Sequence, residues 1–294
     1  CRYPESAIAA GLDRAVTAGA RVVNISLGGD TPPGFTLRQA VARATAAGVI
    51  VVVSAGNEGN TTADGNDPNN PEPFAQGLRD AGGDLVIIVG SVDENRAISD
   101  FSNRAGIYAS SYLTALGDSV CCVYQNGVLQ TETTPSGTFV FLLNGTSFAA
   151  PQVAGAIALV AQAFPSLTPQ QIVALLYQSA QDAGAAGNDA VFGRGILDIN
   201  RAFSPIGTTA LAGTSTPMAL GAPLGTLGAP MGDARGSALG VITDGFGRAF
   251  NVDLAPGLVA RGPALQLLPA VDQSGMARLA ARGPTALSLT YAPQ

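Results

Sequence analysis

Apolar positions along this chain alternate between two periods. Residues 6–18 place Ile8, Leu12, Ala15 and Val16 at helical spacing behind Ser6, and Gly19 stops the pattern, so a Ser-capped helix is expected there. Val22-Val23-Asn24-Ile25-Ser26 is a short β-branched run broken by Leu27-Gly28-Gly29. Residues 37–47 return to the helical period, with Gly48 as the C-terminal stop. Val49-Ile50-Val51-Val52-Val53-Ser54 is continuously apolar, as is a central parallel strand covered on both faces, and residues 85–89 repeat the pattern. Helices alternating with buried strands predict a mostly parallel sheet between two helical layers, a three-layer α/β/α architecture.

Residues 148–164 are apolar nearly all round, which predicts a buried helix, and Ala149, Ala150, Ala154, Gly155 and Ala156 allow close approach of its neighbours. Thr168-Pro169-Gln170-Gln171 is a capping box with Pro at the first helical position, opening a helix to about residue 180. Gly193-Arg194-Gly195-Ile196-Leu197-Asp198 leads into a last short helix near Phe203. After Pro205 the texture becomes rich in Gly, Ala, Thr and Pro, and Leu220-Gly221-Ala222-Pro223-Leu224-Gly225 is echoed by Leu227-Gly228-Ala229-Pro230-Met231-Gly232. A main domain over 1–205 and a linker with β character over 206–294 are therefore expected. Leu287-Ser288-Leu289-Thr290-Tyr291 reads as a strand.

Composition narrows the chemistry. The 294 residues are 47% hydrophobic and 12% charged, enough apolar content for a substantial core. All 15 basic residues are Arg; Lys and His are absent. That excludes histidine metal sites, Lys Schiff bases and the P-loop Lys, and it removes both usual bases for a serine nucleophile. A net charge of −6 leaves no basic footprint for nucleic acid. No run of 18 uninterrupted apolar residues occurs, so no membrane span is expected. The first residues, Cys1-Arg2-Tyr3-Pro4-Glu5, lack an initiator Met and a leader pattern, which suggests a chain that starts mid-protein. Of the three cysteines, adjacent Cys121 and Cys122 bond to each other only with strain. Cys1 has a partner upstream or pairs with one of the other two, and the sequence leaves the oxidation state open.

Three segments carry candidate chemistry. Asn144-Gly145-Thr146-Ser147 immediately precedes the small-residue helix, where a Ser is ordinarily an N-cap. Ser54-Ala55-Gly56-Asn57-Glu58-Gly59 closes a buried parallel strand, and groups beyond such strand ends commonly carry function; Asn57 is equally suited to a left-handed turn. Asn24-Ile25-Ser26-Leu27-Gly28-Gly29 is a second strand exit.

Taken together, these segments resemble the subtilisin-like serine proteases, the subtilases. Gly145-Thr146-Ser147-Phe148-Ala149-Ala150-Pro151 resembles the family's nucleophile motif, Ser54-Ala55-Gly56-Asn57 its oxyanion-hole segment, and residues 22–29 its substrate-binding strand, all in the family's order. The resemblance runs from residue 6 to about 203. It implies a subtilisin-like fold and a serine endopeptidase acting on peptide or protein substrates. Ser147 would be the nucleophile, with its backbone N–H and the Asn57 side-chain amide as oxyanion donors. Ser26, Leu27, Gly28, Ser54, Ala55, Gly56, Asn144, Gly145 and Thr146 would line the substrate. Glu58 adjoins the oxyanion donor and is expected to point to solvent, because a carboxylate turned inward would repel the developing charge.

The family's Asp and His precede all three segments, and this chain has neither segment and no His. The resemblance therefore implies the C-terminal portion of a catalytic domain, inactive alone. The loop Pro71-Glu72-Pro73-Phe74-Ala75 and the Gly-rich continuation resemble subtilases carried as autotransporter passengers in Gram-negative bacteria, which would be secreted or surface-exposed, with an upstream prodomain and a downstream β-barrel. A non-catalytic surface or binding protein reusing the fold is the competing reading. A nucleotide-binding protein fails for want of a phosphate loop, and Gly245-Phe246-Gly247 reads as a hairpin turn. Calcium is common in the family; Asp64-Gly65-Asn66-Asp67-Pro68-Asn69-Asn70 has oxygen donors but no EF-hand register and reads as a solvated loop. No metal or other cofactor is assigned.

Overall fold

A computed structural model describes residues 4–63, 66–121, 124–214, 216–218, 225–227, 239–255 and 258–260. Its contacts divide the chain into two units, one comprising Cys1–Thr209 with Thr243–Phe250, the other Ala210–Ile242 with Asn251–Gln294.

The first unit is built on four parallel strands in sequence order: β1 (Val22–Ile25), β2 (Ile50–Ser54), β3 (Val86–Val92) and β4 (Tyr112–Leu116). Helices α1 (Glu5–Thr17), α2 (Phe35–Ala46) and α3 (Pro73–Gly82) cover one face, and α4 (Thr146–Ala163) with α5 (Pro169–Ser179) covers the other. The apolar run of β2 needs both layers because its side chains alternate. Val51 and Val53 pack with Leu12, Leu37, Val41 and Leu78, while Ile50 and Val52 pack with Val153, Ile157 and Val160. The three-layer α/β/α arrangement expected from the two periods is what the chain adopts.

Several local features differ from the sequence expectation. Helix α1 has Pro4 at its N-cap with no side-chain cap, and Ser6 lies inside the first turn. The Pro71–Glu72–Pro73 segment opens α3 instead of remaining a loop. Pro73 at the first position needs no N–H partner, and Phe74, Ala75 and Leu78 form a buried face. Between β4 and α4 two antiparallel hairpins intervene, β5 (Tyr124–Gln125) with β6 (Val128–Leu129) and β7 (Thr131–Thr134) with β8 (Gly137–Val140). Asn126 and Gly127, both at positive φ, form the first turn, a signal legible in the Asn-Gly pair. Cys121, at the base of these hairpins, is disulfide-bonded; Cys1 and Cys122 lie outside the described residues.

Helix α4 is 18 residues long with a mean hydropathy of 1.2, apolar enough to cross a bilayer by length and composition. Here it is a core helix packed on all four strands, with Ala149, Ala150, Val153 and Ile157 fully buried. The capping box forms as expected, with the Thr168 side chain accepting from Gln171 N. Ile196 bridges to Thr114 beside β4, and α6 (Ile199–Ala202) follows.

Residues 243–250 pack into this same unit. Gly245 and Phe246 form the turn between β11 (Leu239–Thr243) and β12 (Ala249–Asp253), and Arg248 at its end is completely buried. Its guanidinium pairs with Asp244 at 2.7 Å, donates to the carbonyls of Ala202 and Ser204, and lies 4.8 Å from the Phe164 ring centroid and 5.1 Å from that of Phe250. The second unit contains β9 (Ala210–Leu211), β10 (Gly225–Leu227) and β13 (Leu258–Ala260). Strands β12, β11 and β9 form a three-stranded sheet, and β10 pairs in parallel with β13. The Leu220 and Leu227 repeats, apart from residues 225–227, and the strand expected at 287–291 lie outside the described residues.

Candidate active site

The carboxyl ends of β1 and β2 and the N-terminus of α4 meet at one edge of the sheet. Ser147 is the second residue of α4 and does not cap it: the N-cap is Gly145, at φ 154°, with no side-chain cap. The ordinary N-cap reading of this serine is therefore set aside. Ser147 is half-buried, and its hydroxyl has no hydrogen-bond partner among the described residues. Its own carbonyl accepts from Ser26 Oγ at 2.9 Å, which ties β1 to the helix start.

Asn57 is exposed just beyond β2 and is not at positive φ, so it does not serve as a left-handed turn residue. Its Oδ1 accepts from Thr146 N at 2.9 Å and from Thr146 Oγ1 at 3.0 Å. This fixes the amide plane, and Nδ2 has no partner among the described residues. Thr146, fully buried, also donates through Oγ1 to Gly56 O. Asn144 is turned the other way: its Oδ1 accepts from Ser119 N at 2.7 Å, while Gly145 N donates to Gly117 O.

The two strand exits are stitched side by side. Ser54 Oγ donates to Leu27 O at 3.0 Å, and Ala55 O accepts from Glu72 N at 2.8 Å. The Glu72 carboxyl is then wedged against Gly28 and Gly56: a Cβ added at either glycine would collide with it. Glu72 Oε2 accepts from Gly29 N at 2.6 Å. Burial, a hydrogen bond with Glu58 and the charge of Glu58 push Glu72 up to about 8. Sequence reasoning passed over Glu72 as loop; the glycines at 28 and 56 were the signal that something approaches closely there.

Glu58 does not point to solvent as expected. Its Oε2 accepts from Asn57 N at 2.9 Å, and its side chain lies beside Glu72. The Asn57 backbone N–H is the local donor that holds the carboxylate back. In the loop after it, Asn66 Nδ2 donates to the carbonyls of Glu58 and Thr61, and Asn103 Nδ2 donates to Asn70 O. Asp64 and Gly65 lie outside the described residues. Among the described residues no group of three or more Asp, Glu, Cys or His side chains could hold a metal ion.

Residues 2–195 match the family model described as the subtilase family. The chain belongs to the subtilase family. As a subtilase it is 36% identical to Subtilisin DY of Bacillus licheniformis over 67% of this chain and 62% of that protein. It is 35% identical to an alkaline protease of Alkalihalobacillus alcalophilus, over 67% of this chain and 43% of that one. The chain thus spans less than two thirds of the length of these relatives. Among solved structures, the self-cleaved protease domain of PatA aligns with a TM-score of 0.51 and 29% identity over 69% of this chain and 68% of that one. A protease from Pseudoalteromonas arctica aligns with a TM-score of 0.50 and 30% identity, over 69% of this chain and 59% of that one.

Proposed function

We propose that this subtilase chain supplies the nucleophile, the oxyanion hole and part of the substrate cleft of a serine endopeptidase. The Asp and His of the triad would come from polypeptide outside this sequence. The observation that carries the reading is the Asn57 amide. With Oδ1 committed to both donors of Thr146, Nδ2 has no partner among the described residues, next to the helix that presents Ser147. Ser147 Oγ would attack the scissile carbonyl carbon while an imidazole takes its proton. Asn57 Nδ2 and the Ser147 backbone N–H would then donate to the oxygen on which charge develops, aided by the positive end of α4. The imidazolium would then protonate the departing amine as the C–N bond breaks, leaving an acyl-enzyme. Water, giving its proton to the imidazole, would attack the ester carbon, and the C–O bond to Ser147 would break, returning that proton to Ser147. Ser26, Leu27 and Gly28 would pair with an extended substrate, with Ser54, Ala55 and Gly56 opposite and Asn144, Gly145 and Thr146 at the nucleophile.

Residues 1–205, joined by 243–250, would then be part of the peptidase domain, and the rest of 206–294 a linker with β character to an autotransporter β-barrel in a secreted or surface-held protein that also carries a prodomain. The Gly, Ala and Pro content of 206–240 supports that part.

A serine-directed fluorophosphonate probe tests the reading. Strong labelling is expected in the protein extended upstream to include a His-bearing segment, lost in Ser147→Ala. The chain alone should stay unlabelled, because it holds neither His nor Lys to take the proton. An extended protein that never labels at Ser147 would favour the non-catalytic binding protein. Asn57→Ala should lower kcat with little change in KM; removing such a donor from a subtilisin, a relative of this chain, costs about 10²–10³-fold.

A further inference from the structure

The protease reading leaves open which side chain the cleft accepts. Its two proposed walls, Ser26-Leu27-Gly28 and Ser54-Ala55-Gly56, are joined by the Ser54–Leu27 hydrogen bond, and between them lies a carboxyl group. Glu72 reaches this position from the start of α3, with its backbone N–H on Ala55 O and its Oε2 on Gly29 N. It touches both glycines, the two positions without a side chain of their own. Glu58 stands beside it, held on the backbone of Asn57. Glu58 also lines a separate cavity of about 190 Å³ together with Asp30 and Asp67 and, among the described residues, no Arg. None of the ion pairs among the described residues involves Glu72 or Glu58. The floor of the cleft therefore holds two carboxyl groups, Glu72 and Glu58, and neither has an ion-pair partner among the described residues.

We propose that Glu72 is a specificity-determining residue that selects a basic side chain, Arg above all, immediately before the cleaved bond; the proposal rests on the protease reading above. A guanidinium entering between the two glycines would meet a carboxyl already fixed by Gly29 N, in a site where water is largely excluded. Charge-assisted hydrogen bonds are strongest in such a setting. An acidic side chain would meet Glu72 and Glu58 together and be rejected.

The same geometry gives a pH signature. The groups facing Glu72 are the Glu58 carboxyl and the backbone N–H groups of Gly29 and Asn57. In the empty cleft Glu72 gains its charge only as pH rises through about 8. An Arg substrate stays cationic throughout, so its advantage should grow from pH 6 to pH 9.

The experiment uses the active protein extended upstream, with peptides that differ only in Arg, Leu or Glu before the cleaved bond. The readout is the ratio of kcat/KM values. Arg is expected to exceed Leu, with the ratio rising through pH 8, and Glu to be the poorest. Glu72→Gln keeps the shape and an acceptor for Gly29 N but removes the charge; it should cut the Arg-to-Leu ratio by about 30-fold or more and flatten its pH dependence. A wild-type ratio at or below unity, or one that Glu72→Gln leaves intact, overturns the proposal while Ser147-dependent cleavage upholds the protease reading. If Glu72→Gln does not fold, the wild-type pH dependence decides, and a flat ratio overturns the proposal. If no peptide is cleaved in a Ser147-dependent way, the protease reading falls and the proposal with it.

Discussion

Glu72 and Asp244 are both carboxylates sunk into the first unit, at 5% and 6% exposure, yet their charge states move in opposite directions. Burial and the neighbouring Glu58 raise Glu72 to about 8. Burial works on Asp244 in the same sense, but the Arg248 side chain and the backbone N–H groups of Arg248, Ile206 and Phe246 outweigh it and hold Asp244 below its ordinary value. Depth alone therefore does not decide whether a buried acid is charged; its partners determine whether the effect of burial is offset. Asp244 has a dedicated cation and serves structure, securing residues 243–250 against Phe164 and Ala202. Glu72 has no ion-pair partner among the described residues and stands where the two proposed substrate segments meet.

The sharpest way to break this comparison is to take the cation from Asp244. Arg248→Ala strands a buried charge and removes the planar group among Phe164, Phe246 and Phe250, so unfolding free energy in urea should fall by about 3–5 kcal/mol. A loss under about 1 kcal/mol would mean the pair is replaceable by water.

Stability against pH separates the two acids more finely. The folded-state pKa of Glu72 is raised, so the native state holds a proton that the unfolded state has already released above about 4.5. Stability is thus expected to fall as pH rises from about 4.5 to 8, and to stop falling above that. Glu72→Gln removes this penalty and should stabilise the protein by on the order of 2 kcal/mol at pH 8.5, and by much less at pH 4. Asp244 runs the other way. Its depressed pKa contributes stability that is complete above about 3.8 and is lost only as pH falls below that. Asp244→Asn should therefore cost most at neutral pH and progressively less in acid. If both substitutions shift the same limb of the stability curve, the comparison fails.

The smallest expected effect couples Glu72 to Gly28 at the exit of β1. Gly28→Ala places a methyl against the Glu72 carboxyl, and Glu72→Ala makes room for it. A double-mutant cycle should give a coupling of about 1 kcal/mol, whereas simple additivity would show that the carboxyl moves aside freely.

Much of the fold is legible in the chain because its signals are local. The run at residues 49–54 has no polar face, so it can only be a strand covered on both sides. Thr168 and Gln171 carry their cap within four positions. Ser147 and Asn57 are readable because each lies in a short stretch resembling a family motif. Glu72 and Arg248 are not readable in this way. The meaning of Glu72 depends on glycines 44 and 16 positions upstream, and that of Arg248 on Phe164 and Ala202.

Sequence alone determined helices α1, α2, α4 and α5, strands β1 to β3, the parallel sheet and the absence of any imidazole or lysine amine from this sequence, since backbone propensity, periodicity and composition act residue by residue. Only the tertiary structure decided which way Glu58 turns, which acid keeps its proton and which residues after the Gly-rich stretch return to the first unit. Those outcomes depend on distances across the sheet edge and on how completely water is displaced. A low-dielectric interior amplifies a partner a few ångströms away into a change of charge state, and no linear pattern records that proximity.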